Sequence, residues 1–336
     1  MSIPSASSPS SELLSTLART PQFDPDWSDA PPANLDEDGL LAISAAQARE
    51  HALQLPLSVR FRLRPELTPI QLAFLDHHGF AVFDRVASRP EVQTILAELE
   101  DSGDRLIGEG IQKVRGVPVW TGIGPDGAPM LERMGFSSVH SAYLSAFVQD
   151  MRFDPVRRLI GEDARIGHEE KDGVVFNRYV SGIGSLRPTI GWHTDALRDV
   201  FYNRRMPGPM LNVGLHLDRV RPGDGGLFLI PGTHTQSAMS TLFRKIHFVS
   251  DRPDHDEVHV ETWPGDLTVH DGRMWHRVQA PTTPGWSGMR RNIFVPYVCD
   301  AYQPKSEDSK TPMYQRIFDR ILARRLAKKR KQLGLS

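Results

Sequence analysis

The sequence has only one cysteine, no long apolar run and no excess of charge of either sign. Cys299 cannot form an internal disulfide, and the opening "MSIPSASSPSSELL" lacks the features of a signal peptide. No stretch approaches the roughly 18 consecutive apolar residues of a membrane span, so no membrane partner is expected. The 40 basic and 41 acidic side chains nearly cancel, so nucleic acid is not expected either. These absences favour a globular protein of the reducing cytoplasm.

The two ends of the chain differ in composition from its middle. Residues 1–35 are rich in Ser, Pro, Ala and Asp and have only short apolar patches, which predicts a flexible arm. Residues 314–336 combine apolar residues at helical spacing with a basic run, which predicts an amphipathic helix packed on the rest of the protein. Contact of this helix with nucleic acid or a membrane is the alternative. A single domain is expected over residues 36–313.

Local signals predict helices in the N-terminal third. In "LTPIQLAFLDHHGFAVF", Thr68 is a candidate N-cap, Pro69 lies in the first turn, and Gly79 ends the helix before a strand. The next segment, "SRPEVQTILAELEDSG", has the Ser88–Glu91 spacing of a capping box and is expected to end at Gly103. This part of the chain is therefore expected to be mainly helical.

From about residue 174 to 300 the chain consists of short β-rich runs separated by Gly, Pro and Asp. These runs are "VVFNRYV", "LNVGLHLD", "LFLIP", "EVHVETW", "DLTVH" and "RRNIFVPYV". Most have no helical segment between them, which argues against a doubly wound parallel sheet. The spacing predicts a mainly β, antiparallel sandwich or barrel of the jelly-roll kind.

Histidine and carboxylate side chains two residues apart are candidate metal ligands, since both can point to one face of a strand. Five such pairs occur, so spacing alone does not select one: His168/Glu170, His193/Asp195, His216/Asp218, His255/Glu257 and His259/Glu261. The pairs near 168 and 255 have charged, turn-like surroundings typical of a solvated surface. His216/Asp218 lies within a predicted strand and is the main competitor of His193/Asp195.

A non-haem Fe(II) site needs two histidines and one carboxylate on one side of the metal. His276, in "PGDLTVHDGRMWHRVQAP", can supply the third ligand. Arg290 follows on another predicted strand, and its guanidinium can bind a carboxylate through two hydrogen bonds. Arg290 and Arg291 point to opposite faces of that strand, and alternation does not say which face is inside.

The order of these motifs resembles the phytanoyl-CoA dioxygenase family of Fe(II)/2-oxoglutarate oxygenases. The resemblance covers roughly residues 68–300 and depends on the order of four motifs: His193-x-Asp195, "GGLFLIPGTH", "PGDLTVHDGRMWH" and Arg290-x-Asn292. It implies a double-stranded β-helix with flanking N-terminal helices and a C-terminal helix. It also favours His193/Asp195 over His216/Asp218, because only the former precedes the Gly-Gly turn at the position typical of the family.

The resemblance implies roles for particular residues. His193, Asp195 and His276 are the expected iron ligands, and Arg290 is the expected clamp for the distal carboxylate of 2-oxoglutarate, with O2 as the second cosubstrate. Asn177 is a possible further cosubstrate contact; a structural role for this asparagine is equally compatible with the sequence. Arg277-Val278 after His276 departs from the small residues usual in the family, which makes a hydroxyl contact there doubtful.

The reaction expected from this resemblance is hydroxylation of an unactivated C–H bond. A carboxylate at position 195 fills the site that a halide would need, which favours a hydroxylase, desaturase or cyclase over a halogenase. Residues 196–210 are expected to form a loop over the site, and its arginines and aromatic residues suggest a small or mid-sized acidic metabolite: Arg198, Phe201, Tyr202, Arg204 and Arg205. The alternatives are a non-redox metal enzyme and an inactive binding protein on the same barrel.

Overall fold

The computed structural model describes residues 23–32, 34–196 and 208–311, together with 316, 320, 324, 327–328, 331–332 and 334. Within these residues no helix is both long and apolar enough to cross a membrane. Six α-helices have all their residues within the described part of the chain, and they are labelled α1 to α6 in chain order: Ala45–Gln54, Pro69–His78, Arg89–Gly108, Ala142–Val148, Asp154–Arg157 and Ala238–Phe243.

The start and end of α2 follow the signals in the sequence. The Thr68 side chain accepts a hydrogen bond from the Gln71 N–H, Pro69 lies in the first turn, and Gly79 ends the helix with a φ of 79°. The strand Phe80–Phe83 begins at the next residue. Because glycine adopts positive φ without a steric penalty, the chain can turn sharply here. This prediction is confirmed.

Helix α3 is longer than the sequence predicts. It begins with the predicted capping box of Ser88 and Glu91, but it continues past Gly103 to Gly108. Gly103 is buried against Leu131, where an added Cβ would lie 3.0 Å from a methyl carbon of that side chain. The glycine therefore allows close packing within the helix and does not end it. Short strands between residues 113 and 134 were also not predicted.

Among the residues that the structure describes, fourteen strands form two main antiparallel sheets and one small hairpin. The strands β1 to β14 are, in chain order, Phe80–Phe83, Lys113–Val114, Val117–Pro118, Trp120–Ile123, Pro129–Met134, Arg165–Ile166, Val175–Tyr179, Ile190–His193, Met210–His216, Gly226–Leu229, Val258–His259, Leu267–Asp271, His276–Gln279 and Arg290–Val298. The major sheet has the order β1-β12-β9-β14-β7-β5-β4, with β6 paired to β14. The minor sheet has the order β11-β10-β13-β8.

The two faces of the major sheet bury different kinds of side chain. One face, here called the outer face, includes Val213, Val269 and Ile293 and belongs to the same apolar cluster as the buried residues of α2 and α3. The other, the inner face, is lined along β9 by Asn212 and His216. Because side chains alternate along a strand, a single strand supplies both faces.

The inner face of the major sheet lies against the minor sheet. At one end the contact is apolar, since Phe80 and Val82 of β1 pack with Leu227 and Leu229 of β10. Further along it becomes polar: the ring centroids of His270 on β12 and His276 on β13 are 4.9 Å apart. The predicted antiparallel two-sheet architecture is confirmed, and its polar end is where the candidate site lies.

The structure describes parts of the predicted N-terminal arm and of the predicted C-terminal helix. Residues 1–22 lie outside the described part, but the described remainder of the predicted arm is attached to the domain. Phe23 stacks on Trp286 with ring centroids 5.3 Å apart, and Arg221 forms ion pairs with Asp26 and Asp29. This stretch thus contacts the folded domain, and the flexibility of residues 1–35 stays a prediction. The described residues between 316 and 332 are helical and exposed, and the rest of that segment lies outside the described residues.

Candidate active site

The structure brings His193, Asp195 and His276 together at the polar end of the space between the sheets. His193 is the last residue of β8 and lies directly opposite His276, the first residue of β13. One potential ligand atom from each of the three side chains lies within 4.8 Å of the others. Within the described residues this is the only group of three or more His, Cys, Asp or Glu side chains with such geometry. Asp195 lies just beyond the strand, in a helical turn, and not on the strand as the sequence pattern suggested.

Both histidines are oriented by their own backbone. The Nδ1 atom of His193 is 2.8 Å from the Gly191 carbonyl oxygen, and that of His276 is 3.0 Å from the Met274 carbonyl oxygen. A carbonyl only accepts, so Nδ1 bears a proton in each ring, and Nε2 is the atom that can bind a metal ion. Burial lowers the pKa of His193, and the neighbouring His276 lowers it further. Two imidazoles and one carboxylate make a donor set that fits a divalent transition metal.

Two residues of the major sheet contact this cluster from the other side. The Asn212 amide donates to Asp195 Oδ2, and its nitrogen also lies 3.3 Å from His270 Nε2. His270 is buried, and burial lowers its pKa to about 3, so the ring is neutral. Both residues were missed in the sequence. Alternation along "LNVGLHLD" places Asn212 and His216 on one face, but only the tertiary structure places Asp195 beside that face.

The carboxylates of the four competing pairs are bound to arginines. Glu170 pairs with Arg165, Asp218 with Arg291, Glu257 with Arg277, and Glu261 with Arg219, at 2.6–2.8 Å. His216 is hydrogen-bonded to Thr268 on the inner face, whereas Asp218 follows the end of β9 and binds on the outer face. The main competitor therefore cannot direct both side chains at one ion.

A loop after α6 covers one side of His193. The Phe248 ring stacks on the His193 ring, with centroids 4.6 Å apart and planes 24° apart. The loop is held to β8 by backbone bonds from Phe248 N–H to the Trp192 carbonyl and from Trp192 N–H to the Ser250 carbonyl, both 2.8 Å. Phe248 has a φ of 58°, which is a strained value for an aromatic residue. The loop is thus a fixed part of the site wall.

Arg290 lies on the inner face with its guanidinium against the minor sheet. Its Nη2 donates to the Gln279 carbonyl oxygen on β13 at 2.8 Å, while its buried Nε has no hydrogen-bond partner in the described structure. Gly226 allows this approach, since it has a φ of 100° and an added Cβ would lie 2.9 Å from Arg290 Nη1. Burial lowers the pKa of Arg290 to about 10, so the group stays charged at neutral pH. A buried cation of this kind fits an anionic ligand.

Arg291, the next residue, points to the outer face. It makes a two-point ion pair with Asp218, at 2.8 and 2.9 Å, and lies 3.4 Å from Glu100 of α3. Arg178 on β7 binds the other oxygen of Glu100. The structure therefore resolves the choice that alternation left open: Arg290 is inside and Arg291 belongs to a buried structural network.

The remaining predicted residues have different positions. Asn177, on the inner face of β7, donates through its amide to Asn292 Oδ1 at 3.2 Å. Arg277 points away from the site and is bound by Glu257, and the doubtful hydroxyl contact at positions 277 and 278 stays a prediction. The predicted substrate contacts lie outside the described residues and stay predictions: Arg198, Phe201, Tyr202, Arg204 and Arg205.

Comparisons with known proteins agree with this architecture. Among solved structures, EctD from S. alaskensis superposes with a TM-score of 0.51 at 18% identity, covering 74% of this chain and 83% of that chain. The non-heme alpha ketoglutarate dependent carbocyclase SnoK from nogalamycin biosynthesis gives 0.50 at 21% identity, covering 72% and 88%. HygX from Streptomyces hygroscopicus, solved with nickel and 2-oxoglutarate, gives 0.49 at 19% identity, covering 69% and 87%. The likenesses to EctD and SnoK support a double-stranded β-helix with flanking helices. No curated protein matches the chain.

A sequence-based family model gives a more specific result. The model described as phytanoyl-CoA dioxygenase (PhyH) matches residues 131–291. This range runs from within β5 to the first two residues of β14, and it includes both histidines and the carboxylate of the cluster, the Gly-Gly turn and Arg290. The resemblance of this chain to the phytanoyl-CoA dioxygenase family is thereby confirmed over the whole of the candidate site.

Proposed function

We propose that this protein is an Fe(II)- and 2-oxoglutarate-dependent oxygenase. The observation that supports it best is the pairing of two features between the same two sheets. One is the cluster of two histidines and a carboxylate; the other is the buried Arg290 guanidinium, which has no carboxylate within 4.0 Å among the described residues. The first fits a metal ion and the second fits the distal carboxylate of 2-oxoglutarate.

Each side chain has a defined task in this proposal. His193, Asp195 and His276 hold Fe(II), the Gly191 and Met274 carbonyls keep the imidazoles oriented, and Asn212 orients the carboxylate of Asp195. When bound, Fe(II) with 2-oxoglutarate and O2 supplies the oxidising power needed to cleave an unactivated C–H bond.

The cosubstrate is positioned by the inner face of the major sheet. Arg290 binds its distal carboxylate through hydrogen bonds that also fix its direction, because a guanidinium presents its donors in a rigid plane. Asn177 is proposed as a second contact, since it lies on the same face across from Asn292. Phe248 and the neighbouring loop limit the access of water to His193.

The substrate is proposed to be a small or mid-sized acidic metabolite, and the reaction to be hydroxylation. A carboxylate at position 195 occupies the place that a halide would need. The carbocyclase SnoK shows that a similar fold also supports ring closure, so the product decides between reactions. Gain of one oxygen atom means hydroxylation, loss of two hydrogens means desaturation or cyclisation, and an unchanged composition means epimerisation.

The test is anaerobic loading with Fe(II), followed by measurement of metal content and of succinate released from 2-oxoglutarate in air. One Fe(II) per chain and succinate release that is lost in Arg290→Gln are expected. A zinc hydrolase would turn over without 2-oxoglutarate, and an inactive binding protein would bind both ligands but release no succinate. Either result would contradict the proposed function.

A further inference from the structure

Almost every buried or partly buried arginine that the structure describes has a carboxylate within 4.0 Å. Arg60, Arg133, Arg178, Arg277 and Arg291 are examples. Within the described part of the chain, the exceptions are Arg290 and Arg187. A buried cation is costly unless it is paired, so an arginine without a carboxylate is unusual. Arg290 is explained by the proposed cosubstrate, and Arg187 is not.

Arg187 lies over the inner face of the major sheet, next to Asn177. Its Nη1 is 3.5 Å from Asn177 Oδ1, which is a long hydrogen bond. Its guanidinium carbon lies 4.3 Å from the ring centroid of Trp120, so one face of the cation is covered by the indole. Among the described residues no other acceptor binds this group. Most of its donors therefore remain available to a ligand.

The backbone around Arg187 is held in place. The N–H of the preceding Leu186 donates to both carboxylate oxygens of Glu132, at 2.9 and 3.1 Å. The Gly184 carbonyl accepts from Ile123 N–H at 3.0 Å, and the Pro188 ring restricts Arg187 to an extended backbone. A guanidinium that is held by its backbone and stacked on a tryptophan loses little entropy when it binds an anion.

The electrostatic surroundings of Arg187 are positive. Burial, and then the charge of Arg133, lowers the pKa of Arg187 to about 10. The nearby carboxylates that raise the pKa of Arg187 are Asp172 and Glu132. Both lie more than 4.0 Å from its guanidinium, and Asp172 is bound by Arg133. The charges of Arg187 and Arg290 both lower the pKa of the Tyr179 hydroxyl against the larger effect of burial. Two guanidiniums without carboxylates therefore lie near one tyrosine.

We propose that Arg187 binds a carboxylate of the organic substrate, while Arg290 binds 2-oxoglutarate. This inference rests on the proposed function, because it assigns the second cation without a carboxylate on the inner face once the first has been assigned to the cosubstrate. The two guanidiniums are separate anchors: Arg290 is tied to Gln279 of the minor sheet, and Arg187 is on the Asn177 side. The substrate is thus an organic acid whose carboxylate fixes which C–H bond faces the metal site.

The experiment measures binding to the protein loaded with Ni(II) and 2-oxoglutarate, using aliphatic and aromatic monocarboxylic acids as probes, each paired with its primary amide. Calorimetry on the wild type should find at least one acid that binds more tightly than its amide. Arg187→Gln should weaken that acid about 10- to 100-fold and leave the amide unchanged, since only the charge-assisted bonds are lost. Arg187→Lys should recover part of the preference. Arg62→Gln, which removes an exposed arginine without a carboxylate partner, is the matched control.

The affinity for 2-oxoglutarate separates this inference from the proposed function. Arg187→Gln should weaken 2-oxoglutarate far less than Arg290→Gln does, since Arg187 is joined to the proposed cosubstrate site only through its long hydrogen bond to Asn177; the binding that remains also reports an intact fold. If Arg187→Gln weakened 2-oxoglutarate as strongly as Arg290→Gln does, both arginines would belong to the cosubstrate site and the inference would be wrong. It would equally be wrong if no acid bound better than its amide. The protein could also fail to bind 2-oxoglutarate and still bind an acid better than its amide through Arg187. That result would support the anion site and overturn the proposed function.

Discussion

Arg290 and Arg291 are adjacent on one strand, are both almost fully buried, and have opposite surroundings. Arg291 is neutralised by Asp218 and Glu100, and its pKa is raised by these carboxylates against the effect of burial. Arg290 has one backbone carbonyl as its hydrogen-bond partner, and its pKa is lowered by burial. The outer face therefore uses a charge to join the sheet to α3, whereas the inner face holds a charge available to a ligand. Substitutions on the inner face should affect binding, and those on the outer face should affect stability.

The largest expected effect concerns the metal cluster on the inner side. Asp195→Ala or His276→Ala should abolish stoichiometric Fe(II) binding and turnover while the protein stays folded. Asn212→Ala should cause a smaller loss of about 10- to 100-fold, because it removes only the group that orients Asp195. Metal content measured beside circular dichroism checks this. Normal Fe(II) content in Asp195→Ala would show that the carboxylate is not a ligand.

The second effect is expected on the outer face. Arg291→Gln should lower the free energy of unfolding by about 3–5 kcal/mol, since it leaves Asp218 and part of Glu100 buried without a cation. Urea denaturation measures this change, and the folded fraction should keep its affinity for 2-oxoglutarate. Adding Asp218→Asn should cost less than the sum of the two single changes, because the two residues interact directly. Additive costs would mean that the ion pair is not what stabilises this face.

The sequence is sufficient for the local features of this comparison and insufficient for the rest. The capping of α2 by Thr68 and its end at Gly79 depend on neighbouring residues, so they can be predicted. The opposition of His193 and His276 depends on a strand pairing between distant parts of the chain, and it was predictable only through the resemblance to a known family.

The positions of Arg290 and Arg291 depend on Glu100 and Gly226, which are distant in sequence. Arg187 has no signal in its own segment, since its distinguishing property is the lack of a nearby carboxylate.

The third effect is expected for the inner arginine. Arg290→Gln should weaken 2-oxoglutarate binding by about 2–4 kcal/mol, because the distal carboxylate would enter a buried site without its cation. The free energy of unfolding should be unchanged or slightly higher, since an uncompensated buried charge is removed. Calorimetric titration of 2-oxoglutarate and urea denaturation of the same sample give both values. A large loss of stability would place Arg290 with Arg291 as a structural residue and remove the contrast between the faces.

The smallest effect near neutral pH is a pH dependence that arises from His216 on the inner face. Burial, and then the charge of Arg60, lowers the pKa of this imidazole from 6.5 to about 3. Below pH 6.5 the unfolded chain therefore takes up a proton that the folded protein does not bind until about pH 3. The stability contributed by neutral His216 is complete above pH 6.5 and is lost as the pH falls through this range, at up to about 1.4 kcal/mol per pH unit. His216→Gln, which can still hydrogen-bond to Thr268, should reduce the slope of unfolding free energy against pH by about that amount between pH 6 and 4. An unchanged slope in the urea series would show that His216 becomes protonated without unfolding, and that this part of the inner face tolerates a charge.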